Sequence, residues 1–213
     1  MIHAYDKLYL EKARTALARM LDFAVYDLHQ ELSAFFDLFI SSGVAALFEQ
    51  GDVRTLVGQS GVELAYAVME RSGLQVERIA PRYTMDRSEE YWTGWALAYY
   101  QWETALSFAE IIRHVSILEI KALYNPYHEM DIRQFSDRMN ELIRHAQPET
   151  NLGLLRKKSG MSQRQLAELS GIPLRTIQQY EQRQKNINKA QAEYLLMLAQ
   201  ALHCDMTQLI EHI

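Results

Sequence analysis

Apolar residues recur at steps of three and four along nearly the whole chain, and this spacing constrains the fold more than any other feature. It places apolar side chains on one face of an α-helix. The first run predicts a long helix over about residues 4–29, with apolar positions at Tyr9, Ala13, Leu17, Met20, Leu21, Ala24 and Val25. Strand-like alternation is found only at residues 75–79, where a single strand would have no partner. The pattern therefore predicts an all-α protein.

Capping residues and helix breakers divide the first part of the chain into segments. Serine or aspartate N-caps precede several apolar-periodic runs, at Ser60, Ser88, Ser107, Ser116 and Asp131. Helix ends are expected at Gly43, Gly51, Gly73 and the pair Asn125-Pro126. We therefore predict an all-helical domain of seven or eight helices over residues 1–148. It includes a loop at 74–87, and Pro148 marks its end.

The net charge of −5 is distributed unevenly along the 213 residues. Residues 1–150 hold 14 Lys and Arg against 22 Asp and Glu, a net of −8, whereas residues 151–213 hold 8 against 5, a net of +3. Such asymmetry points to a segment that faces nucleic acid. A single cysteine, Cys204, excludes an intramolecular disulfide framework. Because we find neither a long apolar run nor a signal-peptide pattern, we expect a cytoplasmic protein.

Residues 151–213 contain the most informative pattern, which predicts five short helices. Ser162 caps the second helix, and Gln165 three residues later completes a capping box. Gly171 ends that helix and permits the tight turn that a helix-turn-helix needs. Pro173 lies at the first turn of the third helix, where its missing N–H is not required. The last two helices are expected at 189–202 and 207–212.

This stretch resembles the XRE family, the helix-turn-helix proteins of the lambda-repressor and Cro type. The resemblance covers about 60 residues and includes the cap, the small Ala167, the turn glycine and the two helices that follow. It implies a five-helix domain that binds an operator in double-stranded DNA as a homodimer, with the third helix in the major groove. It also implies a transcriptional regulator, most simply a repressor.

In the family, the N-terminal residues of the third helix contact base edges. Here the candidates are Leu174, Arg175, Gln178 and Gln179. Arg175 can donate two hydrogen bonds to guanine, Gln179 can pair with adenine, and Leu174 can contact a thymine methyl group. A domain retained only for dimerisation or protein contact is the alternative, but it would not need such hydrogen-bonding residues.

Phosphate contacts are expected from a second set of residues, which give affinity without sequence choice. They are Gln163, Arg164, Arg183, Lys185 and Lys189. The alternative is that the four basic residues only form a solvated face. By the resemblance, Arg156 and Glu181 form a structural salt bridge. The sequence departs from the family where Gln182-Arg183 replaces the usual glycine and Asn188 the usual proline, so the loop there is expected to be reshaped.

Residues 1–148 carry no recognisable catalytic, metal-binding or cofactor-binding motif, so we expect no enzyme, no metal and no cofactor. The residues around His128 lack the spacing of a metal site. An aromatic helix over residues 91–102 is expected to place Trp92, Trp95, Tyr99 and Trp102 on one face, as core or as a partner surface. This domain would serve dimerisation, partner binding or the sensing of a small-molecule effector. The alternative function is an antitoxin whose acidic domain binds a toxin and whose helix-turn-helix autoregulates the operon.

Overall fold

A computed structural model describes residues 3–82, 87–146 and 149–211. The chain divides into two compact units, Met1–Ile143 and Arg144–Ile213. Every regular element in the described residues is helical, which confirms the predicted all-α fold. The expected domain boundary at residues 147–151 includes Pro148, which lies outside the described residues. None of the helices described combines the length and apolar character that crossing a bilayer requires.

The described part of the first unit contains ten α-helices, more than the seven or eight predicted. Their bounds are α1 (Leu10–Tyr26), α2 (Leu32–Ser41), α3 (Val44–Glu49), α4 (Val53–Leu56), α5 (Gly61–Arg71), α6 (Glu89–Thr104), α7 (Phe108–His114), α8 (Ile117–Ala122), α9 (Tyr124–Tyr127) and α10 (Ile132–Ala146). A 3-10 helix, Lys7–Tyr9, precedes α1.

Three local expectations for this unit were wrong. The first helix is shorter than residues 4–29, because Asp6 caps a separate 3-10 turn and His29 has a left-handed backbone, with φ at 54°. Helix α4 was not predicted, because its four residues are too few to show a helical period. Asn125-Pro126 lies inside α9, in its first turn, where proline is tolerated because that N–H has no partner within the helix.

Helices α1 and α6 form the centre of the first unit and run antiparallel. Ser88, before α6, donates a hydrogen bond to Asp22 near the end of α1, whereas Trp102 near the end of α6 donates to the carbonyl of Tyr5, before α1. A Cβ placed on Gly94 would lie 2.6 Å from the carbonyl oxygen of Leu17, so only glycine permits this approach.

The rest of the core packs around this helix pair. Four phenylalanine rings from α2, α3 and α7 have centroids 5.3 to 6.4 Å apart, and all four are fully buried. They are Phe36, Phe39, Phe48 and Phe108. Burial of each such side chain contributes about 1.5–3 kcal/mol, so this cluster is a major source of stability.

The aromatic residues of α6 do not form the single stripe that the helical wheel predicts. Trp92 and Trp102 are buried, whereas Trp95 and Tyr99 are only half-buried. Tyr100, which is not among the four residues of the predicted face, is the most buried aromatic residue of the helix and donates a hydrogen bond to Asn140 on α10. Helix α6 is therefore buried on more than one side, and its Trp and Tyr residues belong to different surroundings.

The second unit contains α11 (Asn151–Lys158), α12 (Gln163–Ser170), α13 (Leu174–Glu181), α14 (Ala192–Leu202) and α15 (Met206–Leu209) in its described residues. Its core is separate and includes Leu152, Leu166, Ile177, Leu198 and Leu209. Lys189 was expected to begin the fourth helix, but it ends a 3-10 helix, Ile187–Lys189. The predicted end of the fifth helix, His212, lies outside the described residues.

Gly94→Ala should destabilise the first unit by about 1–3 kcal/mol, because the added methyl group would overpack the contact with α1. Helix propensity alone predicts the opposite sign, a gain of about 1 kcal/mol for glycine to alanine in a helix. Urea denaturation followed by circular dichroism measures the change in the free energy of unfolding. A more stable variant would show that the two helices have room to separate.

Candidate nucleic-acid interface

Helices α12 and α13 form a helix-turn-helix whose turn is set by local residues. The hydroxyl of Ser162 accepts a hydrogen bond from the Gln165 N–H at 3.2 Å, and the Gln165 side chain accepts one from the Ser162 N–H at 2.8 Å. Gly171 has a φ of 72°, in the left-handed region that favours glycine. Ile172, buried in the turn, joins the core of the second unit. The two helices are therefore held at a fixed angle.

Helix α13 has one buried face and one exposed face. Ile177 and Tyr180 point into the core, whereas Leu174 and Arg175 are exposed and Gln178 and Gln179 are half-buried. The four predicted base-contacting residues thus lie on the accessible part of the helix. Within residues 149–211 the Arg175 side chain makes no hydrogen bond or ion pair, so its guanidinium is available to a ligand.

A buried ion pair fixes the far end of α13. The Arg156 Nε and Nη2 atoms donate to the two carboxylate oxygens of Glu181 at 2.6 and 2.8 Å, and Nη1 donates to the carbonyl of Met161 at 2.7 Å. The two side chains are only 10% and 9% exposed. This arrangement links α11, the turn before α12, and α13.

The same carboxylate also holds one predicted phosphate contact. The side-chain amide of Gln163 donates to Glu181 at 2.7 Å, so Gln163 joins the ion pair in this structure. Burial raises the pKa of Glu181, but hydrogen bonds from Arg156 and Gln163 outweigh burial and lower the pKa below its ordinary value. Glu181 is therefore held in its charged form.

The loop after α13 is shaped by contacts with the end of the described chain. Arg183 has a left-handed φ of 54°, at a position where a glycine would carry no strain. Its guanidinium donates to Glu211 at 2.7 Å. Asn188 donates to the Glu211 carbonyl at 2.7 Å and accepts from the Glu211 N–H at 2.8 Å. Both departures from the family pattern thus contact the same residue.

Glu211 has a further partner, because its carboxylate also accepts a hydrogen bond from the Asn151 N–H at 2.8 Å. Its side chain is only 12% exposed. Sequence reasoning did not identify Glu211, since no local pattern marks it and its partners lie 23 to 60 positions away. The departures from the family pattern at Gln182-Arg183 and Asn188 were the signals that could have pointed to this cluster.

The predicted phosphate-contacting residues therefore fall into two groups. Gln163, Arg164 and Arg183 each bond to a carboxylate of the second unit, in the case of Arg164 to Glu168 at 3.2 Å. Lys185 and Lys189 are exposed and form no ion pair within residues 149–211. Among the five predicted phosphate contacts, these two lysines are the ones that a phosphate could approach without displacing a carboxylate that the structure describes.

The polar side chains around His128 do not converge on a common point. His128 lies 3.6 Å from Glu129, while its other ring nitrogen faces the carbonyl of Tyr124 at 3.0 Å. Asp131 accepts a hydrogen bond from the Arg133 N–H at the start of α10. In the parts of the chain that the structure describes, no group of three or more metal-ligating side chains comes together. Cys204 is half-buried, and burial raises its pKa.

These features define the second unit as a helix-turn-helix domain, a class that binds DNA. Residues 152–209 match the family model described as helix-turn-helix, and the domain is of the XRE type, as the sequence resemblance indicated. No family model matches the remainder of the chain. No curated protein and no solved structure matches the chain. The domain indicates a DNA-binding transcription regulator.

Arg156→Met should lower the free energy of unfolding of the second unit by about 3–5 kcal/mol, because it leaves Glu181 buried without its counter-ion. The double change Arg156→Met and Glu181→Leu should recover much of this loss, since neither charge is then stranded. Urea denaturation of the full chain, with hydrogen exchange over residues 152–209, measures both effects. Because the folded pKa of Glu181 is lowered, the stabilisation is present above the ordinary glutamate pKa of about 4.3 and is lost as pH falls through the folded value.

The matched control is Arg164→Met, which removes an exposed ion pair whose side chains are 82% and 66% exposed. It should change the free energy of unfolding by less than about 1 kcal/mol. Equal effects of Arg156→Met and Arg164→Met would show that burial does not strengthen the Arg156 interaction.

Proposed function

We propose that the protein is a sequence-specific transcriptional repressor that binds its operator as a homodimer. The observation that carries this proposal is the exposed N-terminal part of α13, which presents Arg175, without a partner among the described residues, beside Leu174 and two glutamines on a fixed helix. A helix of this kind fits the major groove. Two copies would contact half-sites about 34–36 Å apart, one helical turn of DNA.

Each residue type on this face has a chemical counterpart on a base edge. Arg175 would donate two hydrogen bonds to O6 and N7 of guanine, and Gln179 would pair with N6 and N7 of adenine. Leu174, with 37% of its surface exposed, would contact the methyl group of thymine. Gln178, at the edge of the face, would contact a neighbouring base or phosphate.

Lys185 and Lys189 would supply phosphate contacts directly because neither is paired with an acid within residues 149–211. Arg183 and Arg164 would have to exchange a carboxylate of their own chain for a phosphate. Gln163 would do the same with Glu181, which also holds Arg156. The phosphate affinity of this domain is therefore limited by its internal acids as well as by its positive charges.

The charge of each unit supports this division of roles. Residues 1–143 hold 13 Lys and Arg against 21 Asp and Glu, a net of −8, and residues 144–213 hold 9 against 6, a net of +3. A negative first unit is repelled by the phosphate backbone, so non-specific association is limited. This charge leaves the first unit to dimerisation, partner binding or sensing.

Selection of bound DNA from random sequence by the full chain tests the proposal. The selected site should be a near-palindrome, and binding to it should weaken steeply as salt is raised. Arg175→Ala should cost about 1–3 kcal/mol and relax the preference at one base position. When the selected site is placed in a promoter, the protein should lower transcription of a reporter.

Lys185→Ala is the matched control for Arg175→Ala. It should weaken binding to all sequences about equally and reduce the slope of log affinity against log salt by about 1. If Lys185→Ala altered base preference while Arg175→Ala did not, α13 would not be the helix in the groove. A reporter that is activated would retain the DNA-binding proposal and overturn the repressor proposal.

Glu211→Gln should increase DNA affinity, by about two- to fivefold, because it removes a negative charge 2.7 Å from the Arg183 guanidinium and so lowers the cost of exchanging that contact for a phosphate. The amide oxygen can still accept the hydrogen bond from Asn151. Glu193→Gln is the control, since it removes an equal charge from an exposed position on α14. Binding isotherms at several salt concentrations measure both variants, and equal gains would indicate that only net charge matters.

A further inference from the structure

The first unit contains a small pocket with aromatic walls. Six residues line it, from the first half of α6, the segment just before α6 and the region of α9: Arg87, Tyr91, Trp92, Trp95, Tyr124 and His128. Its volume is about 220 Å³, below the roughly 300–1,000 Å³ typical of sites for drug-sized ligands. We refer to it as the aromatic pocket. Its size restricts a ligand to one or two rings.

The walls of the aromatic pocket are held in place by packing on both sides. Trp92 is 8% exposed and contacts Tyr124 and Phe135 edge to face, with centroids 5.6 and 5.3 Å away. His128 stacks on Tyr124 with centroids 4.3 Å apart. Rings fixed in this way provide flat surfaces without the entropic cost of ordering them on binding. A planar aromatic ligand therefore matches the shape and the chemistry of the walls.

Two arginines lie beside these walls. The Arg87 guanidinium lies 5.0 Å from the centre of the Tyr91 ring and is exposed to solvent. The Arg14 guanidinium lies 3.3 Å from the centre of Trp95, so one face of that indole is already occupied by a cation. Arg14 is 6% exposed and its Nη1 pairs with Glu11 at 2.9 Å, whereas its Nε and Nη2 have no hydrogen-bond partner among the residues that the structure describes.

Three glutamates near the aromatic pocket, among the residues that the structure describes, have partners. Glu90 accepts hydrogen bonds from Lys121 at 2.6 Å and Tyr26 at 2.8 Å, and Glu89 lies 3.7 Å from the same lysine. Glu129 is 87% exposed and faces His128. Aromatic rings often attract ammonium groups. Here Arg14, paired with Glu11, already covers one face of the Trp95 indole, and the exposed Arg87 at the rim favours an anion over a second cation.

We propose that the aromatic pocket binds a small aromatic carboxylate. The ring of the ligand lies against Trp92, Trp95 and Tyr124, and its carboxylate pairs with the guanidinium of Arg87. Selectivity follows from two features: the walls select a flat ring, and Arg87 selects negative charge. The proposal concerns binding to the first unit and does not depend on DNA binding by the second.

Three probes that share one ring but differ in charge test the proposal: benzoate, benzamide and benzylamine. Isothermal titration calorimetry on the full chain should give benzoate the highest affinity, benzamide a lower one, and benzylamine an affinity at least about tenfold below that of benzoate. Arg87→Gln should weaken benzoate by about three- to fivefold, which corresponds to an exposed ion pair, and leave benzamide nearly unchanged.

Arg78→Gln is the matched control. Arg78 is another exposed arginine over a tyrosine, with its guanidinium 5.3 Å from the centre of the Tyr66 ring, but it does not line the aromatic pocket. It should leave the affinity for benzoate unchanged. Tyr91→Leu should weaken benzoate and benzamide alike, because it removes ring contact rather than charge. Circular dichroism of each variant verifies that it is folded.

Three results would overturn the proposal. The first is the absence of binding by all three probes at millimolar concentration. The second is tighter binding of benzylamine than of benzoate, which would make the pocket a site for ammonium groups. The third is an equal loss of benzoate affinity in Arg87→Gln and Arg78→Gln, which would show only a general effect of charge.

Discussion

The buried pair of Arg156 and Glu181 is the interaction on which the geometry of the DNA-binding unit depends. A domain of about 60 residues has a small core, so few contacts determine the angles between its helices. One guanidinium group bonds α13 to the turn before α12 and joins both to α11. Because both charges are almost fully buried and hydrogen-bonded, rotation of α13 would leave a charge without a partner. The orientation of Arg175 at the other end of that helix follows from this constraint.

The two units have net charges of opposite sign, and both charges bear on how the proposed regulator would select its DNA site. The second unit needs positive charge to approach phosphate, yet three of its candidate contacts are held by its own carboxylates. The first unit is acidic and would be repelled by DNA. If the proposed function holds, these features would together reduce affinity for arbitrary sequences more than affinity for a site that offers base contacts. Such a balance suits a regulator that must distinguish one operator from a genome of competing sites.

Residues with local roles could be predicted from the sequence pattern, whereas residues with distant partners could not, apart from Arg156 and Glu181, which the family resemblance paired. Ser162, Gln165 and Gly171 act within a few positions of one another, so the cap, the capping box and the turn are visible as a pattern. Arg183 and Glu211 are 28 positions apart, and Arg14 and Trp95 are on different helices. For the aromatic helix, the helical wheel gives only the angles at which the four side chains leave the helix axis. It could not show that α6 is buried on more than one side, so that these rings have different surroundings.

The sequence by itself determined the helical class, the position of the helix-turn-helix and the residues of its exposed face. These follow from periodicity and capping, which depend on neighbours along the chain. Tertiary structure alone decided which charges are occupied: Gln163 bonds to Glu181, Arg183 to Glu211, and Arg14 stacks on Trp95. It also decided that Trp92, Trp95 and Tyr124 share one pocket. The physical reason is that partners distant in sequence meet only when helices pack, and helical spacing carries no information about which faces meet.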